Sequence, residues 1–317
     1  MHCAYQNLTD AKIIMNYEEK ISQLLIVGGT HGNEMSGIQA VKNWQSNVCQ
    51  TPLDTIYNGK IHYALANQEA IDKCVRFTDE DLNRQFTPDK LKEFTKTDYN
   101  LNNEQKIAHE LNKQYGPKDK PSTDFVIDIH NTTSNMGPTL IILDNTEFYK
   151  QLARYVKSEM PESIILFENN QSYSEFCYLC TIGKKGVMIE VGAQPQGVLK
   201  AEVYNQTVTM TEKVVEFVQL YNDKQVNAFP EVEAFWLGKE VEYPSTLEDG
   251  KTEKLAVIHE NLHNNDFKPL HNGQPCFQLF TGEVITWQEE TTYPHFIGEA
   301  AYYKANIAFA TASKIKF

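Results

Sequence analysis

Hydrophobic and polar positions follow two different periods along the first two thirds of the chain. Short, mainly apolar runs lie at residues 24–27, 125–129 and 187–189, and such runs are typical of strands buried on both faces of a sheet. Elsewhere apolar residues recur at helical spacing. This predicts helices that contain Ile38, Val41 and Trp44, then Ile107 and Leu111, then Leu152, Tyr155 and Val156, and finally Val214, Phe217 and Val218. Strands that alternate with helices predict an α/β fold with a largely parallel or mixed sheet flanked by helices.

The pattern changes after residue 224. The remaining sequence is rich in β-branched and aromatic residues, and its turn signals are closely spaced, at 249–250 (Asp-Gly), 272–273 (Asn-Gly) and 281–282 (Thr-Gly). We therefore predict a first domain at residues 1–224 and a smaller, β-rich domain at residues 225–317. A chain of 317 residues is long enough for two domains of ordinary size.

Composition excludes several classes of protein. Hydrophobic residues make up 41% of the chain and charged residues 22%, which is ordinary for a folded globular protein. The net charge is −13 and no basic patch stands out, which argues against nucleic-acid binding as the main role. No apolar run approaches the roughly 20 residues of a membrane helix, so we expect no membrane partner.

Cysteine usage points to a reducing compartment. The six cysteines are scattered and no secretory segment is visible at the N-terminus, which favours reduced thiols and a cytoplasmic protein. Cys177 and Cys180 form a lone C-x-x-C pair. Because no second pair accompanies it, we interpret both as incidental thiols.

The candidate chemistry lies at the ends of the three predicted strands. The motifs are GGTHGNE at residues 28–34, DIHNTT at 128–133 and VMIEVG at 187–192. In a parallel sheet the carboxyl ends of strands meet at one edge, so we expect these motifs to converge. Together they supply two imidazoles, a chelating carboxylate and a spare carboxylate. That set matches a mononuclear zinc site with His₂Glu ligation and a separate general base.

The first two motifs also have purely structural explanations. A tight strand-to-helix turn with a capping Glu accounts for His31 and Glu34 about as well as a metal site does. A buried, hydrogen-bonded histidine is the commoner explanation of His130 taken by itself. Strand alternation, however, places Asp128 on the same side as His130, where a carboxylate orients a ligand imidazole or holds an arginine.

Other polar residues extend the candidate site. Glu190 lies within an apolar strand, where a charge is unfavourable unless it is paired or functional. Desolvation there raises a carboxylate pKa toward the range of a general base, and an ion pair with an arginine is the alternative. Arg76, Asn83 and Arg84 offer donors for a carboxylate or an oxyanion, and a surface ion pair is the alternative for each arginine.

Longer runs of residues carry a resemblance to a known family. They read GGTHGNE, DLNR, HNTTSNMG, IEVG, QPQGVL and EAAYY, at residues 28–34, 81–84, 130–137, 189–192, 194–199 and 299–303. These runs occur in the same order in the aspartoacylase family, and the sequence resembles that family. The family belongs to the larger group related to succinylglutamate desuccinylase and the zinc carboxypeptidases. The likeness covers nearly the whole chain. It implies a zinc-carboxypeptidase-like α/β domain and a C-terminal β-rich domain that covers the active-site cleft.

The same resemblance implies a cofactor and a catalytic residue. One zinc ion per subunit is expected, and the residues that match the family's ligands are His31, Glu34 and His130. Glu190 matches the general base, which later acts as proton donor.

Four further residues match the family's substrate-binding positions. Arg76 resembles the residue that polarises the scissile carbonyl, and Asn83 and Arg84 resemble the pair that binds the substrate α-carboxylate. Tyr302 resembles the tyrosine that closes the pocket from the C-terminal domain.

The sequence departs from the animal aspartoacylases in one segment. Those proteins carry a Tyr and an Arg, four residues apart, before the Ile-Glu-Val-Gly run, whereas this chain has Phe176 and Cys180. In the family that Arg helps to bind the acidic side chain of aspartate. Lys184 and Lys185 are the candidates for replacing its charge.

The resemblance implies an amidohydrolase that acts on a linear amide in a small-molecule substrate. N-acyl-L-aspartate, such as N-acetyl-L-aspartate, is the expected substrate, and the alternative is an N-acyl-aromatic-L-amino acid. A peptide carboxypeptidase is disfavoured because Tyr302 and the β-rich domain would narrow the cleft. A non-catalytic metal-binding protein is disfavoured because Glu190 and Arg76 would have no role. The oligomeric state stays open, and a homo-oligomer is one option.

Overall fold

The computed structural model describes residues 17, 19–48, 52–96, 100–248 and 250–317. The helices in these ranges are α1 (Met35–Gln45), α2 (Gln68–Lys73), α3 (Pro88–Glu93), α4 (Asn103–Tyr115), α5 (Glu147–Glu159) and α6 (Ala201–Asn222). The strands are β1 (Gln23–Gly28), β2 (Lys60–Leu65), β3 (Phe125–Asn131), β4 (Gly137–Ile142), β5 (Ile164–Phe167), β6 (Lys185–Gly192), β7 (Glu233–Glu242), β8 (Ser245–Glu248), β9 (Lys251–Lys254), β10 (Ala256–Ile258), β11 (Pro275–Leu279), β12 (Val284–Thr286) and β13 (Ile307–Lys316). The predicted strands are β1, β3 and β6, and the predicted helices are α1, α4, α5 and α6.

Eight of the described strands form one mixed sheet, in the order β13-β7-β5-β4-β6-β3-β1-β2. Neighbouring strands are parallel except at two places, where β4 lies antiparallel to β6 and β13 lies antiparallel to β7. The strands β1, β3 and β6 are adjacent and parallel. Their carboxyl ends therefore meet at one edge, and the predicted α/β fold with a mixed sheet is confirmed.

Both faces of this sheet are buried, because successive residues of a strand point to opposite sides. In β1, Leu24 and Ile26 pack into a core with residues of α1, α5 and α6. Leu25 and Val27 pack into a second core on the other face, with residues of α3 and α4. Two buried faces explain why these strands have continuous apolar sequences rather than alternating ones.

The C-terminal region is β-rich, as predicted. It contains the hairpin β8–β9 and an antiparallel sheet of β10, β11 and β12, with a separate core around Phe277, Trp287 and Phe309. Its strands β7 and β13, however, extend the large sheet beside β5. Gly273 and Gly282 have φ values of +82° and +91°, as expected in turns, whereas Asp249 lies outside the described residues.

Two further observations concern membrane-spanning helices and cysteines. No helix among the described residues is both long enough and apolar enough to cross a bilayer. Cys177 and Cys180 are free thiols. Cys3 and Cys49 lie outside the described residues.

Candidate active site

The structure brings His31, Glu34 and His130 together at the carboxyl edge of β1 and β3. One ligand atom from each residue lies within 4.8 Å of the other two, and all three side chains are buried. Glu34 lies between the imidazoles: its Oε1 is 2.7 Å from His31 Nδ1 and its Oε2 is 2.9 Å from His130 Nδ1. Burial raises the pKa of Glu34, but the two histidines outweigh this effect and hold the pKa well below its ordinary value.

The turn between β1 and α1 presents two of these side chains. Gly29 has a φ of +71°, which an L side chain rarely adopts. Gly32 packs so closely against α2 that an added Cβ would lie 2.1 Å from the carbonyl carbon of Ala70. Glu34 is the residue before α1, yet its side chain makes no capping hydrogen bond. Its carboxylate is directed at the histidines instead.

Two carboxylates, the buried Asp128 and the partly exposed Asp81, lie against the imidazoles. Asp128 Oδ2 lies 2.9 Å from His130 Nε2, and its Oδ1 accepts a hydrogen bond of 2.7 Å from the hydroxyl of Thr30. Asp81 Oδ1 lies 3.0 Å from Nε2 of His31. With Nε2 of each ring on a carboxylate, both Nδ1 atoms are directed at Glu34. This is how metal-binding histidines are normally held, so the residues present fit a His₂Glu metal site.

Glu190 lies on β6 directly beside His130 on β3. It lines the same cleft and is half-buried. Among the described residues its carboxylate has no hydrogen-bond or ion-pair partner. Burial and the neighbouring Glu34 raise the pKa of Glu190 well above its ordinary value, against the opposing effect of His130. An unpaired carboxylate with a raised pKa is suited to accept and return a proton.

Arg76 lies on another side of the group formed by His31, Glu34 and His130. Its Nη1 donates to Glu34 Oε1 at 3.1 Å, and its Nη2 donates to Asp81 Oδ2 at 3.0 Å. The side chain is 18% exposed, and the exposed part faces the cleft. Asp81 therefore contacts both Arg76 and His31. Sequence reasoning gave Asp81 no role, because nothing in its acidic surroundings pairs it with a residue fifty positions away.

Arg84 and Asn83 line the cleft from the 3₁₀ turn Leu82–Arg84. The Arg84 guanidinium lies 5.3 Å from the ring centre of Tyr178, and Nη1 donates to the carbonyl of Asn83. No ion-pair partner of Arg84 occurs in the described ranges. The amide oxygen of Asn83 accepts from Leu179 N at 2.8 Å, whereas its Nδ2 faces only the sulfur of Met188, a weak acceptor. Both residues therefore keep donors available for an anion.

Glu299 attaches the C-terminal region to the loop after β3. Its carboxylate accepts hydrogen bonds from the hydroxyls of Thr132 and Ser134 and from the backbone N–H of Thr133. The 3₁₀ turn Ala300–Tyr302 follows directly, and Tyr302 lines the cleft. Sequence reasoning included residue 299 in a motif but did not identify this attachment.

The segment that departs from the animal aspartoacylases is buried. Phe176 stacks on Tyr178 with ring centres 5.5 Å apart, and Cys180 is fully buried. The hypothesis that Lys184 or Lys185 replaces the missing charge is wrong: neither lysine lines the cleft. Lys184 instead pairs with Asp124 at 3.0 Å, and Lys185 lies over the ring of Phe148.

The cleft has a volume of about 270 Å³. All eight predicted site residues line it. Besides Glu299, its wall includes two more carboxylates, Glu168 and Glu240, and the apolar side chains of Ile141, Leu166, Met188, Leu237, Phe296, Ala301 and Ala310. Tyr178 donates to Glu168 at 2.7 Å. Neither carboxylate was predicted from the sequence, where they resemble ordinary surface residues.

Comparison with known proteins agrees with this geometry. The model of the succinylglutamate desuccinylase/aspartoacylase catalytic domain matches residues 20–218. The chain belongs to this family. A second model, the AstE/AspA barrel-sandwich hybrid domain, matches residues 230–314.

Similar proteins match over nearly their full length. The human N-acyl-aromatic-L-amino acid amidohydrolase (carboxylate-forming) is 38% identical over 307 residues, which is 94% of this chain and 92% of that protein. Aspartoacylase of Rattus norvegicus is 37% identical over 304 residues, which is 94% of each. The crystal structure of murine aminoacylase 3 superposes with a TM-score of 0.83 at 32% identity, over 95% of this chain and 97% of that one.

Proposed function

We propose that this protein is a zinc-dependent amidohydrolase that cleaves N-acyl-L-amino acids into a carboxylate and a free amino acid. The observation that carries the proposal is the buried cluster of His31, Glu34 and His130 beside the unpaired carboxylate of Glu190. Membership of the family, with relatives named aspartoacylase and N-acyl-aromatic-L-amino acid amidohydrolase, supports the reaction class.

His31, Glu34 and His130 would hold one zinc ion per subunit. The His₂Glu set suits zinc, although other first-row metals also accept such ligands. When bound, zinc lowers the pKa of a coordinated water to about 7 and polarises a carbonyl. Asp81 and Asp128 keep the two imidazoles in the required orientation.

The remaining residues divide the chemistry between them. A carboxylate oxygen of Glu190 takes a proton from the attacking water and then delivers it to the nitrogen of the leaving amine. Arg76 donates to the oxyanion that develops on the scissile carbonyl oxygen. Arg84 and Asn83 bind the substrate α-carboxylate, and Tyr302 closes the cleft over it. A single general acid–base residue typically contributes 10²–10⁴-fold in rate.

Substrate selectivity has two candidates. N-acyl-L-aspartate is the substrate expected from the resemblance. The N-acyl-aromatic alternative is favoured by one observation: the cleft wall away from the metal cluster offers Leu166, Leu237 and Phe296 with two carboxylates, and no lysine from residues 184–185. Among the described residues that line this cleft, Arg76 and Arg84 are the only arginines or lysines that a second carboxylate on the substrate could meet.

The experiment measures amino-acid release by zinc-loaded protein from N-acetyl-L-aspartate and N-acetyl-L-phenylalanine, compared as kcat/KM. Glu190→Gln should retain zinc and lose at least a hundredfold in kcat. Unchanged turnover in that variant would refute the assignment of Glu190. Cleavage of a tripeptide would favour a carboxypeptidase, and zero turnover on every acyl amino acid would favour a non-catalytic metal-binding protein.

Three predictions about the whole chain belong to the same proposal: its domain division, its location and its oligomeric state. Residues 1–224 would form the catalytic zinc domain and residues 225–317 the domain that covers the cleft. The cytoplasmic location and the oligomeric state stay predictions from composition and resemblance. Gel filtration with light scattering measures the oligomeric state directly.

A further inference from the structure

The segment from Arg76 to Asp81 is an irregular loop that carries two residues of the site. It joins α2 to the 3₁₀ turn Leu82–Arg84. Arg76 at one end donates to Glu34, and Asp81 at the other end contacts His31. Since loops have no regular hydrogen-bonding pattern of their own, some other group must fix the positions of these two side chains.

Glu104 supplies that group from the first turn of α4. It is fully buried, at 0% exposed. Its Oε1 accepts from the backbone N–H of Thr78 at 2.8 Å and from the Thr78 hydroxyl at 2.9 Å. Its Oε2 accepts from the backbone N–H of Asp79 at 3.0 Å and of Glu80 at 3.3 Å. Three consecutive N–H groups of the loop therefore converge on one carboxylate.

The same carboxylate also ties the loop to α2. The side-chain amide of Asn67 donates to Glu104 Oε1 at 2.9 Å, and Asn67 is the N-cap residue of α2. No lysine or arginine forms an ion pair with Glu104 in the described part of the chain, so its charge is stabilised by neutral donors. These donors outweigh burial and lower the pKa of Glu104 to about 2, so the group is ionised at any working pH.

Helix α4 does not need Glu104 for its own start. Asn102 caps α4 by accepting from Gln105 N, and the side-chain oxygen of Gln105 accepts a hydrogen bond from Asn102 N. This capping box satisfies two of the unpaired N–H groups at the start of the helix. The Glu104 carboxylate is therefore directed away from its own helix and toward the loop.

We propose that Glu104 is a positioning residue for the active site: it holds the 78–80 backbone so that Arg76 and Asp81 reach the metal cluster. The inference rests on the proposed function for its catalytic consequence, but its effect on the loop is independent of turnover. A carboxylate is required because it accepts at both oxygens, whereas the amide of Gln would turn an N–H₂ group toward backbone N–H donors.

The test compares Glu104→Gln with wild type in the full chain. We expect amide hydrogen exchange at residues 78–80 to become faster and zinc affinity, measured by chelator competition, to fall 10–100-fold. We expect kcat to fall more than KM rises, because Arg76 acts at the reacting carbonyl. Leu111→Ala is the control, since it removes core packing from the same helix and leaves the hydrogen bonds of Glu104 to the loop in place.

The outcomes separate the two proposals. If Glu104→Gln matches wild type, or loses only the stability that Leu111→Ala loses, the positioning role is refuted. If wild type binds zinc without turnover, the proposed function fails while exchange and affinity still decide the role of Glu104. Should Glu104→Gln not fold, Thr78→Val removes one donor to the carboxylate and is expected to cause the same changes to a smaller extent; unchanged exchange and affinity in that variant would refute the proposal.

Discussion

Gly32 makes the closest backbone contact of the turn that carries His31 and Glu34, and Gly32→Ala therefore tests how strictly that turn is placed. The added Cβ would lie 2.1 Å from the carbonyl carbon of Ala70 and 2.3 Å from its oxygen, where ordinary contact begins at 3.4 Å. The turn and α2 must separate by about 1.3 Å. Both obstructing atoms belong to backbone, so no side-chain rotation relieves the overlap.

The size of this displacement predicts that zinc binding is lost. Ligand distances in metal sites are held to about 0.2 Å, so a shift of about 1.3 Å exceeds the tolerance of the His31–Glu34 pair several-fold. Overpacking of this kind also lowers the free energy of unfolding by about 1–3 kcal/mol. We expect Gly32→Ala to fold, to bind less than one zinc per chain after dialysis against a weak chelator, and to lose kcat/KM in proportion.

A control separates metal loss from loss of stability. Gly282 has a φ of +91° in a C-terminal turn, and an added Cβ there meets no atom within 4 Å. Gly282→Ala should therefore lower stability by about 1–2 kcal/mol through backbone strain and keep its zinc. Zinc content and thermal unfolding are measured on both variants. If Gly32→Ala retains one zinc with wild-type affinity, the argument that this contact positions the ligands is refuted.

The remaining predictions concern orientation, substrate binding and pH. Asp128→Asn should weaken zinc binding 10–100-fold, measured by chelator competition, because the carboxylate that orients His130 becomes an amide. Arg84→Lys should raise KM roughly tenfold and change kcat little, since a lysine cannot bind a carboxylate bidentately; an unchanged KM would contradict the assignment. The pKa of Glu104 is lowered from 4.5 to about 2, so its charge stabilises the fold above pH 4.5 and this contribution is lost as the pH falls toward 2. The difference in Tm between wild type and Glu104→Gln should therefore narrow from pH 5 to pH 3, and a constant difference would contradict the stated cause.

The candidate ligands and the candidate base were identifiable from the sequence because each breaks a local pattern. His31 and Glu34 lie among glycines at the end of an apolar run, and Glu190 interrupts an apolar strand. The alternation of β3 also placed Asp128 and His130 on the same side, and the structure has them 2.9 Å apart. Such signals lie within a few residues of one another, so they can be recognised without knowledge of the tertiary structure.

The supporting residues were not identifiable because their partners are distant in sequence. Asp81 lies in an acidic run that resembles a solvated loop, although it contacts His31. Glu104 is in the first turn of an amphipathic helix, where an exposed acidic residue is usual, yet it is fully buried. The lysine hypothesis failed for a related reason: Lys184 precedes β6, whereas Glu190, which lines the cleft, lies near the opposite end of that strand.

The participation of β7 and β13 in the large sheet has a consequence for dividing the chain into fragments. A fragment that ends at residue 224 would keep β5 but lose β7, its hydrogen-bonding neighbour. Leu166 and Phe167, each 1% exposed in the intact chain, would then lie on an unpaired sheet edge. Uncovered apolar edges recruit strands from other molecules and promote aggregation. The β-rich region thus protects residues 1–224 against self-association, in addition to contributing residues to the cleft wall.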